Sequence, residues 1–150
     1  MISKKTKYAL KALMILVDEY SQKKPVLITD LAQKGKAPKK FLELILLELK
    51  NNGILHSKKG KGGGYLLARN PEHIKLGTVM RVLEGPLSPL PCLSRTAYRK
   101  CDECEDEETC GIRLVMKELY ESQLRILDRT SLQDMASKQQ QLQGCGTYMI

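Results

Sequence analysis

Lys58-Lys59-Gly60-Lys61-Gly62-Gly63-Gly64-Tyr65-Leu66-Leu67-Ala68 is a lysine-bearing glycine turn that runs straight into an apolar segment. Immediately before it, Ile54-Leu55-His56-Ser57-Lys58 reads as a strand. Glycine reaches positive φ without a Cβ penalty, so residues 59–64 predict a turn and residues 65–68 the returning strand. The product is a two-stranded hairpin with a basic tip. A glycine-rich lysine turn can also cradle a nucleotide phosphate. The Gly-x4-Gly-Lys-Ser/Thr spacing of such a loop is absent, and no strand-to-helix context follows. A wing on duplex DNA fits better: its lysines release counterions at phosphates, and its glycines let the backbone come close.

Upstream, the residues that a wing needs as neighbours are present. Thr29 is placed to cap a short helix over residues 30–34, with Asp30 in its first turn and Gly35 as a left-handed terminator. Pro38 opens the next helix, which reaches Asn51-Asn52 and stops at Gly53. Two helices joined by a short glycine-containing turn make a helix-turn-helix, whose second member lies in the major groove. On that helix Lys39, Lys40 and Glu43 cluster opposite Phe41, Leu42, Ile45 and Leu49, which are expected to face the core. Lysine donates to guanine edges or phosphates, and Glu43 accepts from a cytosine amino group. The candidate DNA-contacting set is Lys5, Thr29, Lys39, Lys40, Glu43, Lys58, Lys59 and Lys61.

Charge agrees with this placement. The 150 residues carry a formal net charge of +8. Residues 1–75 hold 16 Lys and Arg against 6 Asp and Glu, whereas residues 76–150 hold 9 against 11. The basic half is the half with the helix-turn-helix and wing, the footprint of a nucleic-acid-binding module. With no Trp and one Phe, the core must be aliphatic. No run approaches the roughly 20 apolar residues of a membrane span, and Met1-Ile2-Ser3-Lys4-Lys5 enters a helical pattern with no signal-peptide core. A cytoplasmic location is expected.

The rest of the chain divides around this module. Ser3 caps a first helix to about Tyr20, and a fourth helix covers residues 79–84 before Gly85-Pro86. Residues 1–85 are read as the winged domain, and residues 86–110 as a cysteine-rich loop. Residues 111–138 are read as a long helix plus a short one, and residues 139–150 as a mobile polar tail. The predicted class is mainly α: a winged helix-turn-helix with a two-stranded wing and a long C-terminal dimerisation helix. Along the long helix Ile112, Met116, Leu119 and Ile126 follow a coiled-coil-like spacing interrupted by Gln123, which predicts a homodimer. A two-fold dimer suits a palindromic operator.

Cys92, Cys101, Cys104 and Cys110 crowd the loop, with Cys145 apart from them. In a cytosolic protein such clustering points to metal, cluster or redox chemistry rather than a structural disulfide. Cys101-x2-Cys104 has zinc-ligand spacing, and thiolate ligation of an iron–sulfur cluster is equally compatible. Interleaved acids (Asp102, Glu103, Glu105, Asp106, Glu107 and Glu108) are expected to raise the thiol pKa values in the absence of a cation. Fortuitous free thiols are the plain alternative. A thiol redox enzyme built on Cys101 and Cys104 is a competing reading, but no thioredoxin-like context surrounds them. A winged-helix module that binds protein instead of DNA is another. The expected function is regulatory rather than enzymatic, with no small-molecule substrate evident.

Several blocks together resemble the Rrf-two family of bacterial winged-helix regulators. These are Tyr8-Ala9-Leu10, Leu31-Ala32, Pro38, Leu42-Glu43, Leu49, Asn52-Gly53, Ser57, residues 59–67, and Val79-Met80-Arg81-Val82-Leu83-Glu84-Gly85. The family includes an iron–sulfur cluster regulator, a nitric-oxide-sensing repressor and a cysteine-metabolism repressor. The resemblance implies a homodimeric regulator with recognition helices in major grooves and wings in adjacent minor grooves. It gives Glu43 a part in operator discrimination. Lys59 stands where the family commonly has Arg, which keeps the charge but loses the planar fork. The resemblance further implies three loop cysteines for a two-iron, two-sulfur cluster: Cys104 and Cys110, with Cys101 or Cys92 as the first. Arg113 occupies the position where the cluster regulator has a ligating His. Zinc, or no metal, are the alternatives. Ordering of the loop is expected to change the spacing of the two recognition helices.

Overall fold

The computed structural model describes residues 2–146. Helix α1 runs over Lys4–Glu19, and its N-cap Ser3 accepts a hydrogen bond from the Thr6 N–H at 3.2 Å. Ala9, Ala12, Leu13, Leu16 and Val17 form its buried side. The helix-turn-helix follows as α2, Ile28–Lys34, and α3, Lys39–Asn51. Three local expectations shift by a residue or two. Leu27, not Thr29, is the N-cap of α2, and Thr29 lies exposed within its first turn. The left-handed residue after α2 is Lys36 (φ 50), because Gly35 is still helical at φ −82. Pro38 is the N-cap of α3 rather than its first residue. Gly53 closes α3 at φ 74, as expected of a C′ glycine.

Strands β1, Leu55–Lys58, and β2, Gly64–Leu67, pair antiparallel, with Leu55 opposite Leu67 and Lys58 opposite Gly64. A third strip of backbone joins them. Val26 and Tyr65 exchange N–H···O bonds at 2.8 Å in both directions, so the segment before α2 is sewn to β2. The glycines of the turn divide into two kinds. Gly60 and Gly62 have positive φ and open surroundings. Gly63 and Gly64 are needed for space: a Cβ would lie 2.2 Å from the Lys58 carbonyl oxygen at the first and 2.3 Å from the Val26 carbonyl oxygen at the second.

Helix α4 spans Leu76–Glu84, beginning three residues before the expected start. Its first turn is held from outside: Leu76 N–H donates to Thr130 O at 2.8 Å, and Leu132 N–H donates to Ile74 O at 2.9 Å. These bonds tie α4 to the junction of α5, Gly111–Arg129, with α6, Leu132–Gly146. Residues 139–146, expected to be a mobile tail, belong to α6, while 147–150 lie outside the described residues. Glutamine is a good helix former, and α6 is anchored at its start by the buried Leu132 and Ala136 in the common core. Further along, Gln140 Nε2 reaches Asp18 Oδ1 of α1 at 3.2 Å. Among the described residues, no helix is long and apolar enough to cross a membrane.

A carboxylate closes the domain between α1 and α4. Glu84 Oε1 accepts from Thr6 Oγ1 at 2.5 Å, Ser3 Oγ at 2.7 Å and Ser3 N at 3.0 Å. Those hydrogen bonds, led by Thr6, lower its pKa from the usual 4.5 to about 2. The folded state therefore holds the proton less tightly than the unfolded chain. The stabilisation is complete above pH 4.5 and is lost as pH falls from there toward 2. Glu84→Gln is expected to cost roughly 1–3 kcal/mol at neutral pH. It should also flatten the stability profile below pH 4.5, as read by urea unfolding at a series of pH values.

Candidate nucleic-acid interface and cysteine cavity

Helix α3 is built to show one face. Leu42, Ile45, Leu46 and Leu49 are buried in the core, and Lys39, Lys40 and Glu43 are exposed. Among the described residues none of these three charged side chains forms an ion pair. Phe41 departs from expectation: it is 37% exposed and stacks edge-on against Tyr8 of α1, with ring centroids 5.8 Å apart. Leu46 takes the core position instead. On the wing, Lys58, Lys59 and Lys61 are all exposed and likewise unpaired among the described residues. Lys5 is differently placed. Its Nζ lies 2.6 Å from Glu48 Oε2 of α3, each side chain about one-third exposed, and 3.4 Å from Leu83 O. It ties α1 to α3 and α4, and must leave Glu48 before it can meet a phosphate. Sequence reasoning missed this pair because long-range ion pairs have no spacing signature.

Helix α5 packs on α4 by one face and leaves another uncovered. Tyr120 and Leu124 are buried. Beyond them Arg81 and Asp128 form a bidentate pair at 2.8 and 3.1 Å. The pair lowers the Asp128 pKa through its hydrogen bonds and raises that of Arg81. Gly77 makes the approach possible, since a Cβ there would stand 2.2 Å from Asp128 Oδ1. The uncovered stripe is Ile112, Val115, Leu119 and Ile126, each between 56% and 68% exposed. Three of the four expected seam residues are in it. Met116 is half-buried at the border of the packed face, and Val115 takes its place in the stripe.

The loop between α4 and α5 brings the cysteines to one place. Cys92, Cys101, Cys104 and Cys110 all line a cavity of about 530 Å³, together with Arg99, Lys100 and Arg113. Cys92 is buried, and Cys110 is the N-cap of α5, its Sγ accepting from the Arg113 N–H at 3.4 Å. The Cys104 thiol pKa is raised, first by desolvation, then by the Cys110 and Cys101 thiols and Glu107. The upward direction matches expectation, but burial and neighbouring thiols outweigh the acidic run. A raised thiol pKa opposes the nucleophilic thiolate that a redox enzyme needs. Glu107 accepts from the Tyr98 hydroxyl, and it stands 3.9 Å from Arg113 Nε, which is buried without a hydrogen-bond acceptor.

By donor type the cavity suits zinc or an iron–sulfur cluster. As placed, the side chains do not form a single-ion site. Among the described residues, no three Cys, His, Asp or Glu side chains converge closely enough to hold a metal ion.

Comparison with known proteins adds a family to this geometry. Residues 2–138 match the family model Rrf2, described as an iron-dependent transcriptional regulator. The chain is 44% identical over 137 residues to a putative HTH-type transcriptional regulator, rrf2-like, of Rhodobacter capsulatus, covering 90% of this chain and 91% of that one. It is 32% identical over 136 residues to the HTH-type transcriptional regulator CymR of Bacillus subtilis, covering 91% and 89%. Among solved structures it is similar to CymR, the global cysteine regulator of B. subtilis, with a TM-score of 0.76 at 29% identity, over 92% of this chain and 97% of that one. It is also similar to T. potens IscR, with a TM-score of 0.75 at 25% identity, over 95% and 90%.

Proposed function

Because the chain belongs to the Rrf2 family of winged-helix transcriptional regulators, we propose that it binds a palindromic or pseudo-palindromic operator as a homodimer and acts as a repressor. The observation that carries this reading is the set of exposed, unpaired charges on two adjoining elements. Lys39, Lys40 and Glu43 stand on the outer face of α3, and Lys58, Lys59 and Lys61 on the wing. Helix α3 meets base edges and the wing holds the phosphate backbone. Each neutralised phosphate releases condensed counterions, so affinity falls steeply with salt.

Lys59→Ala with Lys61→Ala tests the wing. In fluorescence anisotropy against the promoter of the protein's own gene, the double variant should bind more weakly. The slope of log K against log salt should be shallower by about 0.9 for each phosphate that the variant leaves unneutralised. Unchanged affinity and slope would remove the wing from the interface. Weak association with duplex DNA that ignores salt would point to a protein-binding module instead.

The same reading makes the cysteine loop the sensing element and the uncovered stripe of α5 the subunit contact. The loop precedes α5, and α5 packs on α4 with the half-exposed Arg81–Asp128 pair across the contact. A change in loop order therefore reaches the subunit contact along α5 and, through α4, the recognition helix α3. The finer assignment for the loop is a two-iron, two-sulfur cluster on Cys104, Cys110 and either Cys92 or Cys101, with zinc or no metal as the alternatives. The thiols support it in type and number but do not form a single-ion site as placed, so the coupling just described uses no metal. Iron, sulfide and zinc analysis of anaerobically isolated protein decides between cluster, zinc and bare thiols.

A further inference from the structure

The outer face of α3 carries more than charge. Leu44 is 67% exposed and Leu47 is 46% exposed, although the buried side of the helix is already filled by Leu42, Ile45, Leu46 and Leu49. Lys40, Glu43, Leu44 and Leu47 stand at i, i+3, i+4 and i+7, so they share one face. A helix lying in the major groove brings four side chains to the bases by that same spacing. Two leucines set between Lys40, Glu43 and Lys50 are too apolar for a purely solvated face. They are also too narrow and too closely bracketed by charge for a helix-packing seam. In the major groove the one apolar group on a base edge is the C5 methyl of thymine.

We propose that Leu44 and Leu47 are specificity-determining residues that pack on thymine methyl groups, so that the operator carries A·T pairs opposite the second and third turns of α3. The inference rests on α3 entering the groove, as proposed above. It gives the face a division of labour. Lys40 and Glu43 read polar edges at the start of the helix, and the leucines read methyls further along. The rise of 1.5 Å per residue puts Leu47 about 10 Å beyond Lys40, so the two ends of the face meet different base pairs.

The test uses the full-length protein and a duplex that it selects from a randomised library. The selected half-sites should contain thymine. Replacing those thymines by uracil keeps Watson–Crick pairing and removes only the methyl, and affinity should fall about fourfold per buried methyl. Leu44→Ala with Leu47→Ala should bind the thymine duplex more weakly and no longer distinguish it from the uracil duplex. Both leucines are exposed, so the variant should keep its circular dichroism spectrum and melting temperature. Three results would overturn the proposal: equal binding of thymine and uracil duplexes by the unaltered protein, a thymine preference that survives in the variant, or a changed oligomeric state in the variant with DNA affinity intact. If the unaltered protein retains no duplex from the library, the groove reading fails and this inference falls with it.

Discussion

If α5 is the subunit contact proposed above, replacing Leu119 and Ile126 by lysine is expected to yield a monomer and to lower affinity for a two-half-site duplex by about a hundredfold or more, the range set by giving up a linked second half-site. Both side chains lie on the uncovered stripe of α5, 56% and 60% exposed, and neither takes part in the packing of α5 on α4. A lysine at either position is solvated in the monomer, so the fold is not at stake. In the dimer the same lysines would sit in an apolar seam opposite their own copies, where desolvation and like charge both oppose association. Sedimentation equilibrium reports the mass, and anisotropy on one-half-site and two-half-site duplexes reports the linkage. The variant should bind the single half-site almost as the unaltered protein does. A variant that remains dimeric would place the subunit contact elsewhere.

Gly64→Ala is expected to destabilise the fold by about 3–5 kcal/mol, combining a backbone region almost closed to non-glycine residues with an overpacked contact. Gly64 has φ +142, and its missing Cβ would meet Val26 O at 2.3 Å and Leu27 N at 2.9 Å. Those atoms are main chain, so no rotamer change can make room. Relief requires breaking the mutual Val26–Tyr65 hydrogen bonds that sew the start of the helix-turn-helix to the wing. Gly60→Ala is the control. Its φ is +89 but nothing lies within 4 Å of the added carbon, so only the conformational cost applies, about 1–2 kcal/mol. Denaturant unfolding of the two variants separates the effects, and equal destabilisation would show that the close approach does not matter.

The contrast between Gly60 and Gly64 also marks where sequence reading stops. A run of glycines in a basic turn announces the hairpin, because positive φ is a local property. That two of the glycines are kept for the backbone of residues 26 and 58 is a tertiary fact with no local sign. The long helices were legible for a similar reason. The α5 bounds followed from periodicity and Ser3 from capping chemistry, whereas the start of α4 is held by the Leu76 N–H donating to the carbonyl of Thr130, 54 residues away. A glutamine-rich composition hid the second half of α6, whose docking begins with Leu132 and Ala136. In the candidate site, the exposed lysines and Glu43 could be placed by helical spacing. The partnership of Lys5 with Glu48 and the three hydrogen bonds that Glu84 accepts from Ser3 and Thr6 could not, since each depends on which neighbour the fold supplies.

The buried side chains of α5 are Tyr120 at its midpoint and Leu124 beyond it, and the half-exposed Asp128–Arg81 pair adds a contact in its last turns. The N-terminal half, which begins at the Cys110 cap, contributes no buried residue. Within one protomer such a helix is a cantilever, held on α4 at one end and bearing the cysteine loop at the other. From Asp128 to Cys110 the arm is about 27 Å long, so a tilt of about 5° at the clamp sweeps the cysteine end through about 2 Å. The leverage also runs the other way. A modest force applied at the thiols produces a large torque on the clamp, and the clamp is an element of the DNA-reading domain.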